Sequence, residues 1–113
     1  MKNREKKAVY CEVECVLGIL GGRWKVLILR ELFTGIKRFN ELHRLIQGIT
    51  VKMLAQQLRE LEKDGVIQRK IYPVVPPKVE YSLTSLGKSL KPVLDAMHDW
   101  GLKHEQEISK RKS

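Results

Sequence analysis

Lys52, Gln56, Arg59 and Lys63 recur at intervals of four, three and four within ITVKMLAQQLRELEKD, residues 49–64. At about 100° of rotation per residue these positions share one side of a helix, opposite the side taken by Leu54, Leu58 and Leu61. Glu60 and Glu62 lie toward the flanks, so the polar side carries three cations and an amide with no carboxylate at its centre. Arg and Gln offer the paired hydrogen-bonding groups that match guanine and adenine edges in the major groove, and Lys neutralises phosphate. The pattern predicts a recognition helix. An ordinary solvated face would mix acids among the bases.

Thr50 is placed to cap this helix with its hydroxyl, and Gly65 to end it in the left-handed conformation. Just upstream, KRFNELHRLIQG sets Phe39, Leu42, Leu45 and Ile46 on one side and stops at Gly48. Two short amphipathic helices joined by a turn of about three residues predict a helix-turn-helix, the first bracing the second across the groove. Earlier still, Trp24, Leu27, Ile28 and Leu32 predict a central core helix ended by Gly35.

After Gly65, VIQRKIYP and VEYSL are rich in β-formers, and Pro73, Pro76 and Pro77 belong in the loop between them. The expected hairpin is a wing, with Lys70 and Lys78 near its tip to contact phosphates or an adjacent minor groove. Thr84 is expected to cap a last helix that Pro92 kinks or divides. The fold class is therefore mainly α with a small β-hairpin, a winged helix-turn-helix.

Two apolar stripes exceed what so small a domain can cover. Val13, Val16, Leu17 and Leu20 mark a first helix, and Leu90, Val93, Leu94, Met97 and Trp100 mark the last. They predict a homodimer through the terminal helices, with two recognition helices for a pseudo-palindromic operator.

Charge points the same way. Of the net +9 over 113 residues, residues 37–78 hold nine cations against four acids, a local +5. That concentration indicates a polyanion partner, double-stranded DNA. The expected organisation is a basic leader (1–10), one domain (11–103) and a basic tail (104–113). No apolar run approaches the 18 or more residues that span a bilayer, so no membrane partner and a cytoplasmic location are expected. No glycine-rich phosphate loop or paired nucleophile and base is present, so neither an enzyme nor a cofactor is expected.

The strings GGRWKVLILREL, KRFNEL, GITVKMLAQQLRELEKDG, YPVVPPKVEYSLT and LGKSLKPVLDAM resemble the HxlR-type winged helix-turn-helix transcriptional regulators of bacteria, a MarR-like group, over residues 11–101. The resemblance implies a dimeric, non-enzymatic DNA-binding regulator. It implies that Thr50, Lys52, Gln56, Gln57 and Arg59 lie in the recognition helix, that Arg38 begins the bracing helix, and that residues 76–78 lie in the wing; apart from the resemblance, Lys37 and Arg38 are expected to hold phosphates with Lys70 and Lys78. It further implies a Cys near the N-terminus, which some members use to sense oxidants or electrophiles. Cys11 holds that place, with Glu12 where the family has proline and a second thiol at Cys15.

Three alternatives compete. Cys11 is otherwise an inert packed thiol. A metal site would need Cys11, Cys15, His43, His98 and His104, but His98 and His104 are spaced wrongly for one helical face, so none is expected. A winged helix also serves as a protein-interaction module, but that version should lack the Lys52, Gln56 and Arg59 ridge.

Overall fold

In the computed structural model, which describes residues 11–112, the helices form where periodicity and caps coincide. The order is α1 (Cys11–Leu20), α2 (Lys25–Phe33), α3 (Phe39–Leu45), α4 (Val51–Lys63), β1 (Ile67–Tyr72), β2 (Lys78–Leu83), α5 (Ser85–Lys88) and α6 (Lys91–Lys112). The expected leader, residues 1–10, lies outside the described residues.

The core gathers Ile28, Leu29 and Leu32 of α2 against Leu42 of α3, Leu54, Leu58 and Leu61 of α4, and Val66, Ile67 and Leu83 at the root of the hairpin. Burying each such side chain stabilises the fold by about 1.5–3 kcal/mol relative to leaving it in water. The leucine seam of α4 is thus its anchor. Ile46 and Ile49, in the turn between α3 and α4, are buried too and lock the helix-turn-helix angle. Leu45, expected on the buried side, is exposed: α3 ends there, and the extended backbone of Ile46 turns the next side chain into the core instead.

The hairpin is antiparallel, pairing Ile67 with Leu83 through Tyr72 with Lys78, and the prolines occupy its tip as expected. A contact without sequence signal adds to it. Lys37 forms an isolated antiparallel bridge to Tyr81, a one-residue third strand.

Thr84 joins the hairpin to α5. Its Oγ1 donates to the Gly65 carbonyl at 2.6 Å and accepts from Gly87 N at 3.1 Å, capping that short helix. The last helix, expected to be kinked or divided by Pro92, is divided just before it, at Ser89 and Leu90, and Pro92 falls in the first turn of α6, where its missing N–H costs nothing. α6 then runs unbroken to Lys112, so the boundary expected at residue 103 falls inside a helix. No helix among the described residues is long and apolar enough to cross a membrane.

Candidate nucleic-acid interface

α4 carries the candidate surface. Thr50 Oγ1 accepts from Met53 N at 3.0 Å, fixing the start of the helix, and Gly65 ends it at φ +80°. With Leu54, Leu58 and Leu61 buried beneath, Lys52, Gln56, Arg59 and Lys63 all stand exposed within about 60° of arc.

The flanking acids decide the sign of this ridge. Glu60 and Glu62 lie on either side of it, and each is paired with a cation from another element. Lys25 Nζ of α2 is 2.7 Å from Glu60 Oε1, and Arg69 Nε of β1 is 3.7 Å from Glu62 Oε1. Glu60 also accepts from Gln56 Nε2 at 3.2 Å, so the ridge is not free of carboxylate contact as the sequence implied. The Lys25 ammonium, followed by the Gln56 amide, holds the Glu60 carboxyl below its ordinary value, keeping it ionised and matched. Lys52, Arg59 and Lys63 form no ion pair among the described residues and supply the outward charge.

Other expected contact residues are placed differently. Gln57 is half-buried off the ridge, its Nε2 3.6 Å from Met53 Sδ, so it does not face outward with Gln56. Lys37 Nζ turns back to Thr34 Oγ1 at 2.8 Å and the Gly35 carbonyl at 3.4 Å, holding the end of α2 rather than reaching into solvent. The backbone N–H of Arg38 donates to Glu41 Oε1 at 2.8 Å at the start of α3, and the Arg38 side chain is exposed.

On the wing, Lys70, Tyr72, Lys78 and Glu80 share one face. Lys70 and Lys78 lie 5.0 and 4.8 Å from the Tyr72 ring centre, each in a cation–π arrangement with it. Lys78 Nζ is also 3.4 Å from Glu80 Oε2, and the Tyr72 hydroxyl donates to Glu80 Oε1 at 2.9 Å. That hydroxyl bond, with Lys78 adding to it, lowers the Glu80 carboxyl against the opposing effect of burial. Between α3 and the wing runs a groove lined by Arg38, Asn40, Glu41, Arg44, Pro77 and Lys78. Arg44 was not singled out from sequence. Its only signal was its share in the charge of residues 37–78.

The remaining candidates lie on α1 and α6. Cys11 is partly exposed, Cys15 is exposed, and both are free thiols. His104 stacks on Trp100 with ring centres 4.6 Å apart, and among the described residues no group of three or more His, Cys, Asp or Glu could hold a metal. Val13, Val16, Leu17, Val93, Met97 and Trp100 are exposed. Leu20 belongs instead to the protomer's own core, and Leu90 and Leu94 are partly covered by it.

An outward cationic helix braced by a second helix and flanked by a hairpin is the geometry of a winged helix-turn-helix. The model of the HxlR-like helix-turn-helix family matches residues 19–109. The chain belongs to that family. An uncharacterised HTH-type transcriptional regulator of Bacillus subtilis, YdeP, is 55% identical over 100 residues, spanning 88% of this chain and 78% of its own. Among solved structures, the redox regulator HypR in its reduced form is 44% identical at a TM-score of 0.84, covering 88% of this chain and 98% of its own. The reduced transcriptional regulator YodB from B. subtilis is 40% identical at a TM-score of 0.73, covering 80% and 88%. The family is one of transcriptional regulators.

Proposed function

We propose that the protein binds double-stranded DNA sequence-specifically as a homodimer, each protomer laying α4 in a major groove. The observation that carries this is the α4 ridge: Lys52, Gln56, Arg59 and Lys63 point outward while both flanking acids are paired with cations from α2 and β1. Arg59 and Gln56 have the chemistry to read base edges, and Lys52, Lys63, Arg38, Arg44, Lys70 and Lys78 surround them with positive charge for phosphates. The exposed apolar stripes on α1 and α6 supply the dimer contact, and two-fold pairing presents two α4 helices to two half-sites.

The test is selection of duplexes from a randomised pool, followed by binding titrations at several salt concentrations. A selected pseudo-palindrome, bound with a steep salt slope and lost on scrambling one half-site, supports the proposal. Equal affinity for every sequence, or none, overturns it.

A second reading concerns regulation. Cys11 and Cys15 are accessible free thiols one helical turn apart on α1, beside Val13, Val16 and Leu17 of the proposed dimer contact. HypR, on which the chain superposes, is a redox regulator. In this reading a peroxide oxidises the Cys11 thiolate to a sulfenic acid and leaves as the alcohol or water. A second thiol then condenses with it to a disulfide, releasing water. Operator affinity should change on peroxide treatment of the wild type and stay constant in Cys11→Ser. An identical response in both sinks the idea.

A further inference from the structure

Lys25 opens α2 and is the one charged side chain that the fold buries among the described residues, at 8% exposure. An ammonium in such a place is tolerated only when paired, and packing alone would be served as well by an apolar residue. Its partner is Glu60, one helical turn beyond Gln56 on α4. Oε1 of Glu60 faces Lys25, and Oε2 accepts from Gln56 Nε2. The three groups form a chain from the core to the ridge.

The chemistry of this chain fixes an orientation. An ionised carboxylate only accepts hydrogen bonds, so it requires the Gln56 amide to turn its nitrogen toward Glu60. The Gln56 carbonyl oxygen and second N–H are then left for solvent in one order and not its reverse. Adenine presents an N6 donor beside an N7 acceptor in the major groove, the complement of that pair. Without Lys25, the Glu60 carboxylate would stand unmatched at the margin of a surface that must approach phosphate.

We propose that Lys25 is a positioning residue which, through Glu60, holds the Gln56 amide in the orientation that selects adenine at one base pair of each half-site, without itself touching DNA. The proposal rests on the DNA-binding reading.

The experiment compares wild type, Gln56→Ala, Glu60→Gln, Lys25→Met and Lys25→Arg in two assays. The first is duplex selection. Wild type should prefer adenine at one position by about tenfold or more, the worth of a paired amide contact. Gln56→Ala should erase that preference, and Lys25→Met and Glu60→Gln should reduce it to within about twofold at the same position only. Lys25→Arg, which keeps a buried cation, should retain it. The second assay needs no DNA. The side-chain amide resonances of Gln56 should move in Lys25→Met and Glu60→Gln while the backbone amides of α4 hold their shifts. The double variant Lys25→Met/Glu60→Gln leaves no buried charge without its partner, should show the same two changes, and so keeps the test open if either single variant does not fold.

If Lys25→Met and Glu60→Gln weaken all duplexes equally with the preference kept, Lys25 is structural only and the proposal falls. It falls likewise if wild type selects an operator whose preferences Gln56→Ala leaves unchanged, although DNA binding then stands. If wild type selects no sequence, both readings fall, while unmoved Gln56 resonances remove the positioning role by itself.

Discussion

Lys37 and Tyr81 exchange both backbone hydrogen bonds, Lys37 N donating to the Tyr81 carbonyl at 3.1 Å and Tyr81 N to the Lys37 carbonyl at 2.8 Å. The chain two residues before the bracing helix is thereby stitched to the middle of β2. The wing is held at a set angle to α3 and, through the packed turn, to α4. Replacing Lys37 by Pro removes the donor and one of the two bonds. The wing should then loosen, with faster hydrogen exchange at Tyr81 and weaker binding to all duplexes. Lys37→Ala keeps both backbone bonds and should leave Tyr81 protected, which separates the bridge from the ammonium.

The groove between α3 and the wing brings Arg44 toward Lys78, and both are read as phosphate contacts. Each phosphate contact removed should lower the magnitude of the salt slope by about 0.9. Arg44→Ala should approach that figure. Lys78→Ala should fall short of it, because Glu80 already offsets part of the Lys78 charge in the free protein. Neither change should alter sequence preference, whereas Arg59→Ala should. Titrations of selected and mutated half-sites across a salt series read all three.

Tyr72 links the wing to pH. Its hydroxyl is the largest influence holding the Glu80 carboxyl below the ordinary 4.5. A carboxyl lowered on folding contributes stability that is present above its unfolded value and is lost as pH falls through the folded value. The contribution is therefore intact at neutral pH and is lost progressively as pH falls below 4.5 and through the lower folded value. Tyr72→Phe should bring Glu80 closer to its ordinary value in a carbon-13 carboxyl titration. It should also flatten the fall in stability that denaturant unfolding detects on the acid side.

Much of α4 was legible because its determinants are local. The Thr50 cap, the spacing of Leu54, Leu58 and Leu61, and Gly65 all act within one or two turns, and each is where periodicity placed it. Lys25 with Glu60 and Lys37 with Tyr81 were not legible, since they join residues far apart in sequence and no period relates them. A one-residue strand has no alternation to detect. Gln57 illustrates a different limit. Its place on the wheel was known, but the side chain folds back onto Met53, a choice made by rotamer and burial rather than spacing. Leu20 and Leu45 exchanged expected roles because both stand at helix ends, where the direction of the chain, not the helical wheel, decides what is covered.

Gly87 sets how closely α5 approaches the hairpin root. A Cβ there would overlap the Val66 carbonyl oxygen and press on Leu83 Cδ2 at 3.2 Å, and the first of these is backbone that cannot swing aside. Gly87→Ala should therefore destabilise by about 1–3 kcal/mol, the usual cost of overpacking. For a domain of this size that is a drop in Tm of at least about 4 °C, readable by thermal unfolding. The displacement would also strain the Thr84 bonds to Gly65 and Gly87, so wing contacts should weaken alongside stability.

Met97 and Trp100 of α6 are 48% and 59% exposed, in line with Val93 on the same helix and matched by Val13 and Leu17 on α1. Two copies pairing through these helices would cover both stripes together, and a charge placed at their centre would be buried without a partner. Met97→Glu should therefore shift the protein to monomer in sedimentation equilibrium at micromolar concentration. The monomer should keep its fold, because Met97 is absent from the protomer's core. Operator affinity should drop by about tenfold or more, since each half-site must then be bound without the effective concentration that linkage supplies. A Met97→Glu protein that still sediments as a dimer with full operator affinity would move the interface elsewhere and leave this stripe without a role in DNA binding.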